Sequence, residues 1–196
     1  MGIPGWKRRF EKMEISTRQI TRILLFAFSF ITWLYLPLAS SEKPLAGFTD
    51  CDSIPALNKQ IFKFVNTRLN TTVGRGECWD LAAEALNALN ADWNKKYEFG
   101  RKIDIKNECV YPGDIIQFNG VKVEYQDGKR HYTETLAHHT AIVYEIKEPG
   151  IFVLAHQNTA FSGRKVGLST LNLKNITKGK TTIYRPVKQQ PSGQSR

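Results

Sequence analysis

Gly74-Arg75-Gly76-Glu77-Cys78-Trp79-Asp80-Leu81 is the stretch on which the reading of this chain turns. Two glycines open it, and a segment of helical character follows. The stretch places a thiol at the start of a helix predicted over 78–89. N–H groups exposed at that end, with the helix dipole behind them, favour a thiolate. Ala82, Ala85, Leu86 and Leu89 form the apolar stripe. Cys78 precedes Ala82 by one helical repeat, so it shares that inward face. A cysteine so placed is either an ordinary buried thiol or a nucleophile on the floor of a cleft. The glycines favour the second, because they let a ligand approach the backbone closely.

The flanking segments set the fold class. Ser53-Ile54-Pro55 predicts a helix start, with serine as the cap and proline in the first turn. Leu57, Ile61, Phe64, Val65 and Leu69 then recur at helical spacing. Residues 70–76 read as a polar loop. Beyond Asn90 strand signals take over. Tyr111-Pro112-Gly113-Asp114 marks a turn before a strand at 115–118. Asn119-Gly120 predicts a two-residue hairpin turn into 121–125. Further strands are expected at 129–134, 140–146, 151–157 and 181–187. Helices first and hairpins afterwards imply an α+β fold with helices packed on a mostly antiparallel sheet.

The two ends of the 196-residue chain read differently from its body. Residues 1–41 carry six basic and two acidic residues, and an uncharged apolar run fills 23–39. Ala39-Ser40-Ser41 follows. The pattern predicts a secretory signal peptide cleaved near Ser41. An uncleaved membrane anchor is the competing reading, since the run approaches the length that spans a bilayer. Either way the domain, placed at 42–187, is expected to be secreted or periplasmic, and 188–196 reads as a disordered tail. The leader supplies +4 of the formal net charge of +10. The remaining basic excess suits anionic surfaces such as wall polymers or acidic glycans, or serves solubility alone. No basic-aromatic pattern points to nucleic acid.

Three cysteines follow the leader: Cys51, Cys78 and Cys109. In an oxidising compartment an odd count implies a free thiol or an intermolecular bond. The economical pairing is Cys51 with Cys109. The other reading keeps all three as thiols. Asn70-Thr71-Thr72 and Asn175-Ile176-Thr177 are glycosylation sequons, which matter only in a eukaryotic secretory route.

Histidines supply the partner a reactive thiol needs. With 147–150 taken as a turn, His139 lies opposite Asn158 and Ala141 opposite His156. His139, His156 and Asn158 then share one sheet face, and His138 and Gln157 the other. Diagonal neighbours on a face stand roughly 7–8 Å apart at the backbone, within side-chain reach. A turn longer or shorter by one residue would exchange the faces and favour His138. His131 reads as a solvated strand residue. In this arrangement Cys78 attacks an amide carbonyl and His139 takes and returns the proton. His156 fixes the tautomer of His139, with Asn158 assisting, and the Cys78 N–H helps to hold the oxyanion. No metal-ligand spacing such as HExxH or CxxC appears, so neither a metal nor another cofactor is expected.

Four stretches together resemble the CHAP and NlpC-type amidases and endopeptidases, which are papain-like cysteine hydrolases. They are Gly76-Glu77-Cys78-Trp79-Asp80-Leu81, Pro112-Gly113-Asp114-Ile115-Ile116-Gln117-Phe118, His138-His139-Thr140-Ala141-Ile142-Val143 and His156-Gln157-Asn158. The resemblance implies Cys78 as nucleophile and His139 as base. CHAP members usually carry an acidic residue where His156 stands and an asparagine at the Asn158 position. NlpC-type members often use a histidine as the third polar residue. The resemblance also implies an enzyme acting on peptide or peptidoglycan amides, which suits an exported, basic chain, and the protein is expected to be monomeric. A cysteine hydrolase or acyltransferase on another substrate, and a non-catalytic exported binding domain of the same fold, are the alternatives.

Overall fold

The computed structural model describes Cys51 and residues 53–190. Two α-helices come first, α1 (Ala56–Asn66) and α2 (Cys78–Ala88). Eight strands follow among the described residues: β1 (Ala91–Asp92), β2 (Arg101–Lys102), β3 (Ile115–Asp127), β4 (Arg130–Glu148), β5 (Ile151–His156), β6 (Gly167–Asn172), β7 (Ile176–Arg185) and β8 (Val187–Lys188). Six of them form an antiparallel sheet in the order β2-β7-β3-β4-β5-β6. The fold is therefore α+β, as the order of sequence signals implies.

The central strands are buried on both faces. Ile115, Ile142 and Ala155 meet Leu57, Ile61, Val65, Leu81, Ala82 and Leu86 of the helices. The alternate residues Ile116, Val143 and Leu154 join Phe118, Phe152 and Leu171 in a second core on the opposite face. Each fully buried side chain of this size contributes about 1.5–3 kcal/mol relative to exposure. This double burial positions α2, and with it Cys78, against one face of β4.

Around Asp114 a buried charge is fully paired. Its side chain is inaccessible to solvent. Arg185 donates through Nε to Oδ1 and through Nη2 to Oδ2, both at 2.9 Å. Asn58 Nδ2 donates to Oδ1 at 2.7 Å, and the Tyr111 N–H donates to Oδ2 at 2.8 Å. Arg185 also lies over the Tyr111 ring, 4.6 Å from its centroid. The Pro112-Gly113-Asp114 turn thus locks β7 and α1 to the start of β3. Gly113 takes φ +88°, and a Cβ there would stand 2.5 Å from the Asn58 carbonyl oxygen.

Several expectations change. Pro55 is the residue that caps α1, with φ −56° and ψ 145°, and no side chain caps this helix end. Ser53 therefore does not fill that role. Asn119-Gly120 is not a hairpin turn: β3 runs through it and pairs with β4 on both sides, Asn119 with His138 and Val121 with Leu136. The glycine absorbs a β3–β7 irregularity instead. It takes φ +60°, and a Cβ on Gly179 would come within 2.3 Å of its carbonyl oxygen. The segments expected at 129–134 and 140–146 are one strand, β4. Strand β6 is additional, and β7 starts earlier than expected.

At the C-terminal end, Lys188 pairs with Ala91, and the Gln189 N–H donates to the Asn90 carbonyl. The disorder expected from 188 therefore does not hold for these two residues, whose backbone groups find partners. The rest of that call from 191 onward, and the leader at 1–41, lie outside the described residues. No described helix is long and apolar enough to cross a membrane. Cys51 and Cys109 form a disulfide across a sequence separation of 58 residues, and Cys78 is the free thiol. A loop of that length gives a stabilisation of about 4 kcal/mol in the chain-entropy account.

Candidate functional site

The loop before Cys78 is shaped by two left-handed glycines, Gly74 at φ +57° and Gly76 at φ +84°. A Cβ on Gly76 would stand 2.7 Å from Arg164 Cβ. Asp80 gathers the loop from inside the helix. Its carboxylate accepts the N–H of Arg75 at 2.7 Å, the N–H of Glu77 at 3.2 Å and the Arg75 guanidinium at 3.0 Å. Burial works to raise the Asp80 carboxyl, but these donors outweigh it and hold it below the usual range. Glu77 is the N-cap, in a capping box with Asp80, and Cys78 is the first helical residue.

The Cys78 sulfur rests against the backbone of β4, 3.9 Å from the His138 carbonyl oxygen. This part of β4 lies beyond the last β4–β5 pair, Ile142 with Ala155. Burial pushes the Cys78 thiol up. The N–H groups of Thr140 and Trp79 pull it down by less, and the Glu77 charge adds to the rise. The expectation that the helix start favours a resting thiolate is thereby corrected: desolvation outweighs the aligned N–H groups.

His139 and His156 meet. Nε2 of His139 and Nδ1 of His156 are 2.9 Å apart. Nε2 of His156 is in turn 2.8 Å from the Ser169 hydroxyl on β6. Both rings are buried, at 7% and 3% exposure. Burial holds His139 down to about 4. Burial, and then the neighbouring His139, hold His156 down to about 3. Both rings are therefore neutral at neutral pH. With Nε2 of His139 engaged by His156, Nδ1 is its other ring nitrogen.

The geometry arises differently from the expected turn. Glu148 pairs with Ile151, so the turn is Pro149-Gly150 rather than 147–150. Irregularities between Val143 and Glu145, and between Ile146 and Glu148, each add a residue to β4. The two insertions restore the parity that the longer turn would have given. His138 takes its ring edge-on to Tyr97, with centroids 4.1 Å apart, while His139 takes the His156 contact.

Asn158 does not join the histidines. Strand β5 ends at His156, and Asn158 turns to φ +59°, which breaks the alternation. Its Nδ2 donates to Glu77 Oε2 at 2.7 Å. The Glu77 side chain is also paired with Arg164 at 3.3 Å. Asn158 thus ties to the loop before Cys78, and of the two residues it is His156 that contacts His139.

The sequence reading places Gln157 on a face without giving it a role, and does not reach Ser169 at all. Gln157 is fully buried. Its Oε1 accepts the Val73 N–H at 3.1 Å, and its Nε2 donates to the carbonyls of Val73 and Glu77, each at 2.8 Å. Strand parity, which puts Gln157 on the face opposite His156, was the available signal. Ser169 belongs to a strand whose alternation, Leu168 and Thr170 outward with Ser169 and Leu171 less exposed, is short and weak. Among the described residues no three His, Cys, Asp or Glu side chains are grouped so as to hold a metal ion.

Comparison with known proteins gives the family. No curated protein matches the chain. Among solved structures it is similar to the crystal structure of Ly7917, at 12% identity and a TM-score of 0.38, over 65% of this chain and 62% of that one. It is similar also to the crystal structure of Ly7917 with the hydrolyzing product of MDP, at 13% identity and a TM-score of 0.40, over 66% and 62%. The chain spans less than two thirds of the length of these proteins. Residues 56–196 match the family model of the AIM3/BBC1 cysteine proteinase-fold domain. That match supports a papain-like cysteine protease fold and does not single out the CHAP or NlpC type. The chain belongs to the AIM3/BBC1 cysteine proteinase-fold domain family.

Proposed function

We propose that this protein is a cysteine hydrolase that cleaves amide bonds, with Cys78 as nucleophile and His139 as base. The observation that carries the reading is the 2.9 Å contact between His139 and His156, on the strand segment against which the Cys78 sulfur rests. A base needs a second group to fix its tautomer, and His156 takes that place. Because the thiol is raised and both rings are neutral, no thiolate–imidazolium pair forms at rest. Proton transfer accompanies attack: sulfur bonds to the carbonyl carbon as the thiol proton moves to Nδ1 of His139. Collapse of the tetrahedral adduct breaks the C–N bond, and the same proton leaves on the amine. Water then hydrolyses the thioester. The Cys78 N–H, at the start of α2, is a donor for the oxyanion.

The leader-like pattern at 1–41 and the basic excess of +6 that remains when its +4 is taken from the net +10 favour an exported enzyme acting on an anionic polymer, with peptidoglycan peptide as the first substrate to test. A protein amide or a lipid-linked acyl group is the alternative. Digestion of purified peptidoglycan, and of a mixed peptide library, is compared between wild type and Cys78→Ala by counting newly released amines. The reading expects release by wild type alone. Equal release from both proteins would sink it.

A second reading, a binding domain that keeps the fold without the reaction, is favoured by one observation. The Cys78 sulfur is hydrogen-bonded to the His138 carbonyl and to neither imidazole ring. Turnover by wild type that is lost in Cys78→Ala excludes this reading.

A further inference from the structure

The chain from His139 through His156 ends on a hydroxyl, and this end decides what His139 can do. Each neutral ring carries one proton, and the 2.9 Å contact between Nε2 of His139 and Nδ1 of His156 holds one proton between them. Two arrangements satisfy both contacts. In the first, His139 donates from Nε2, His156 donates from Nε2, and Ser169 accepts at 2.8 Å. Nδ1 of His139 is then bare and can receive a proton. In the second, Ser169 donates, His156 donates from Nδ1, and His139 carries its proton on Nδ1. A thiol facing that nitrogen meets a donor and has no base. A carboxylate or a carbonyl at the end of the chain would enforce the first arrangement, because it can only accept. A serine hydroxyl permits either.

We infer that Ser169 is a positioning residue that sets the tautomer of His139 through His156, by accepting from His156 Nε2 while its own proton turns into the adjoining cavity. This cavity, of about 480 Å³, is lined by both His156 and Ser169. Glu134, Asn172 and Asn175 also line it and carry acceptor oxygens. Its other walls are largely apolar, among them Phe118, Leu136 and Leu154. In this arrangement the hydroxyl hydrogen faces a cavity with acceptor oxygens on its wall, so the contents of the cavity are coupled to the protonation pattern of a residue one ring away. The inference rests on the hydrolase reading for its consequence, though not for its first test.

Proton–nitrogen NMR of the histidine rings at neutral pH, on the full chain, reads the tautomers directly. Wild type is expected to carry protons on Nε2 of both His139 and His156. Ser169→Asp, an acceptor only, keeps that pattern. Ser169→Ala leaves the His156 N–H facing apolar carbon, so a measurable share of His139 moves its proton to Nδ1. Ser169→Thr retains the hydroxyl and restores the wild-type pattern. Protonated Nδ1 on wild-type His139, or unchanged populations in Ser169→Ala, would overturn the inference. Acylation of Cys78 by p-nitrophenyl acetate is measured alongside. A fall of about tenfold in Ser169→Ala, recovered in Ser169→Thr, is expected for loss of base catalysis. If wild type shows the expected tautomers but Cys78 never acylates, the hydrolase reading fails and the tautomer assignment stands.

Discussion

The Asp114 cluster and the His139–His156 pair are both buried, and they meet the cost of burial in opposite ways. Asp114 keeps its partners on both oxygens and is matched by the Arg185 guanidinium. The histidines give up charge instead: burial lowers both rings until they are neutral, with each other and Ser169 as hydrogen-bond partners. A charge that is fully paired is committed to structure. A neutral ring with one nitrogen unspent keeps a capacity for proton transfer. Asp114 is thus a strut and the histidine pair a candidate site, although their sequence signals, a turn aspartate and a strand histidine, are equally plain.

The strut can be broken most severely. Arg185→Ala leaves the Asp114 carboxylate buried without its cation, and a loss of about 3–5 kcal/mol is expected in urea unfolding. A loss below about 1 kcal/mol would show that the charge is not committed to stability, and the contrast would collapse. Next comes Gln157, which ties the loop before Cys78 from within. Gln157→Ala removes its bonds to Val73 and Glu77 and should cost about 1–3 kcal/mol. Hydrogen exchange should then accelerate at Val73, whose N–H it holds. Unchanged exchange there would mean that the loop is held by Asp80 and Arg164 alone.

The smallest effect sharpens the comparison through pH. The folded-state values of about 4 for His139 and about 3 for His156 lie below the ordinary 6.5. The unfolded chain therefore binds more protons across that interval, and stability rises with pH there. Their contribution is complete above about pH 6.5 and is lost as acidification proceeds toward pH 3. Glu108 is held down to about 2, first by its hydrogen bond to Arg101, so its contribution is lost at lower pH. Denaturation midpoints between pH 7 and 5 should fall in wild type and fall less in His139→Gln and His156→Gln. An identical slope in all three proteins would remove the histidines from the acid response.

Legibility in the sequence followed how local the signal is. The start of α2 at Cys78 needs only neighbouring glycines and an apolar repeat, and it lies where the pattern puts it. The meeting of His139 with His156 was legible through strand parity, yet by way of two insertions in β4 that no short-range signal marks. Asn119-Gly120 misled because its local preference for a turn is overridden by pairing on both sides with β4, and its glycine serves the approach of Gly179 instead. Asn158 misled because β5 stops two residues before it and the backbone turns left-handed. Ser169 was out of reach, because its importance comes from the pairing of β5 with β6 and from nothing in its own neighbourhood.

The central claim is that Cys78 is a nucleophile served by His139. Acetyl transfer from p-nitrophenyl acetate tests it most directly, with the intact mass followed over time and the modified residue located by peptide mapping. Wild type is expected to gain an acetyl group at Cys78 and then lose it to water. Cys78→Ala should gain none at that position, and His139→Ala should acylate at least about 100-fold more slowly. Equal acylation rates in wild type and His139→Ala, or no acetyl group on Cys78 in wild type, would contradict the account.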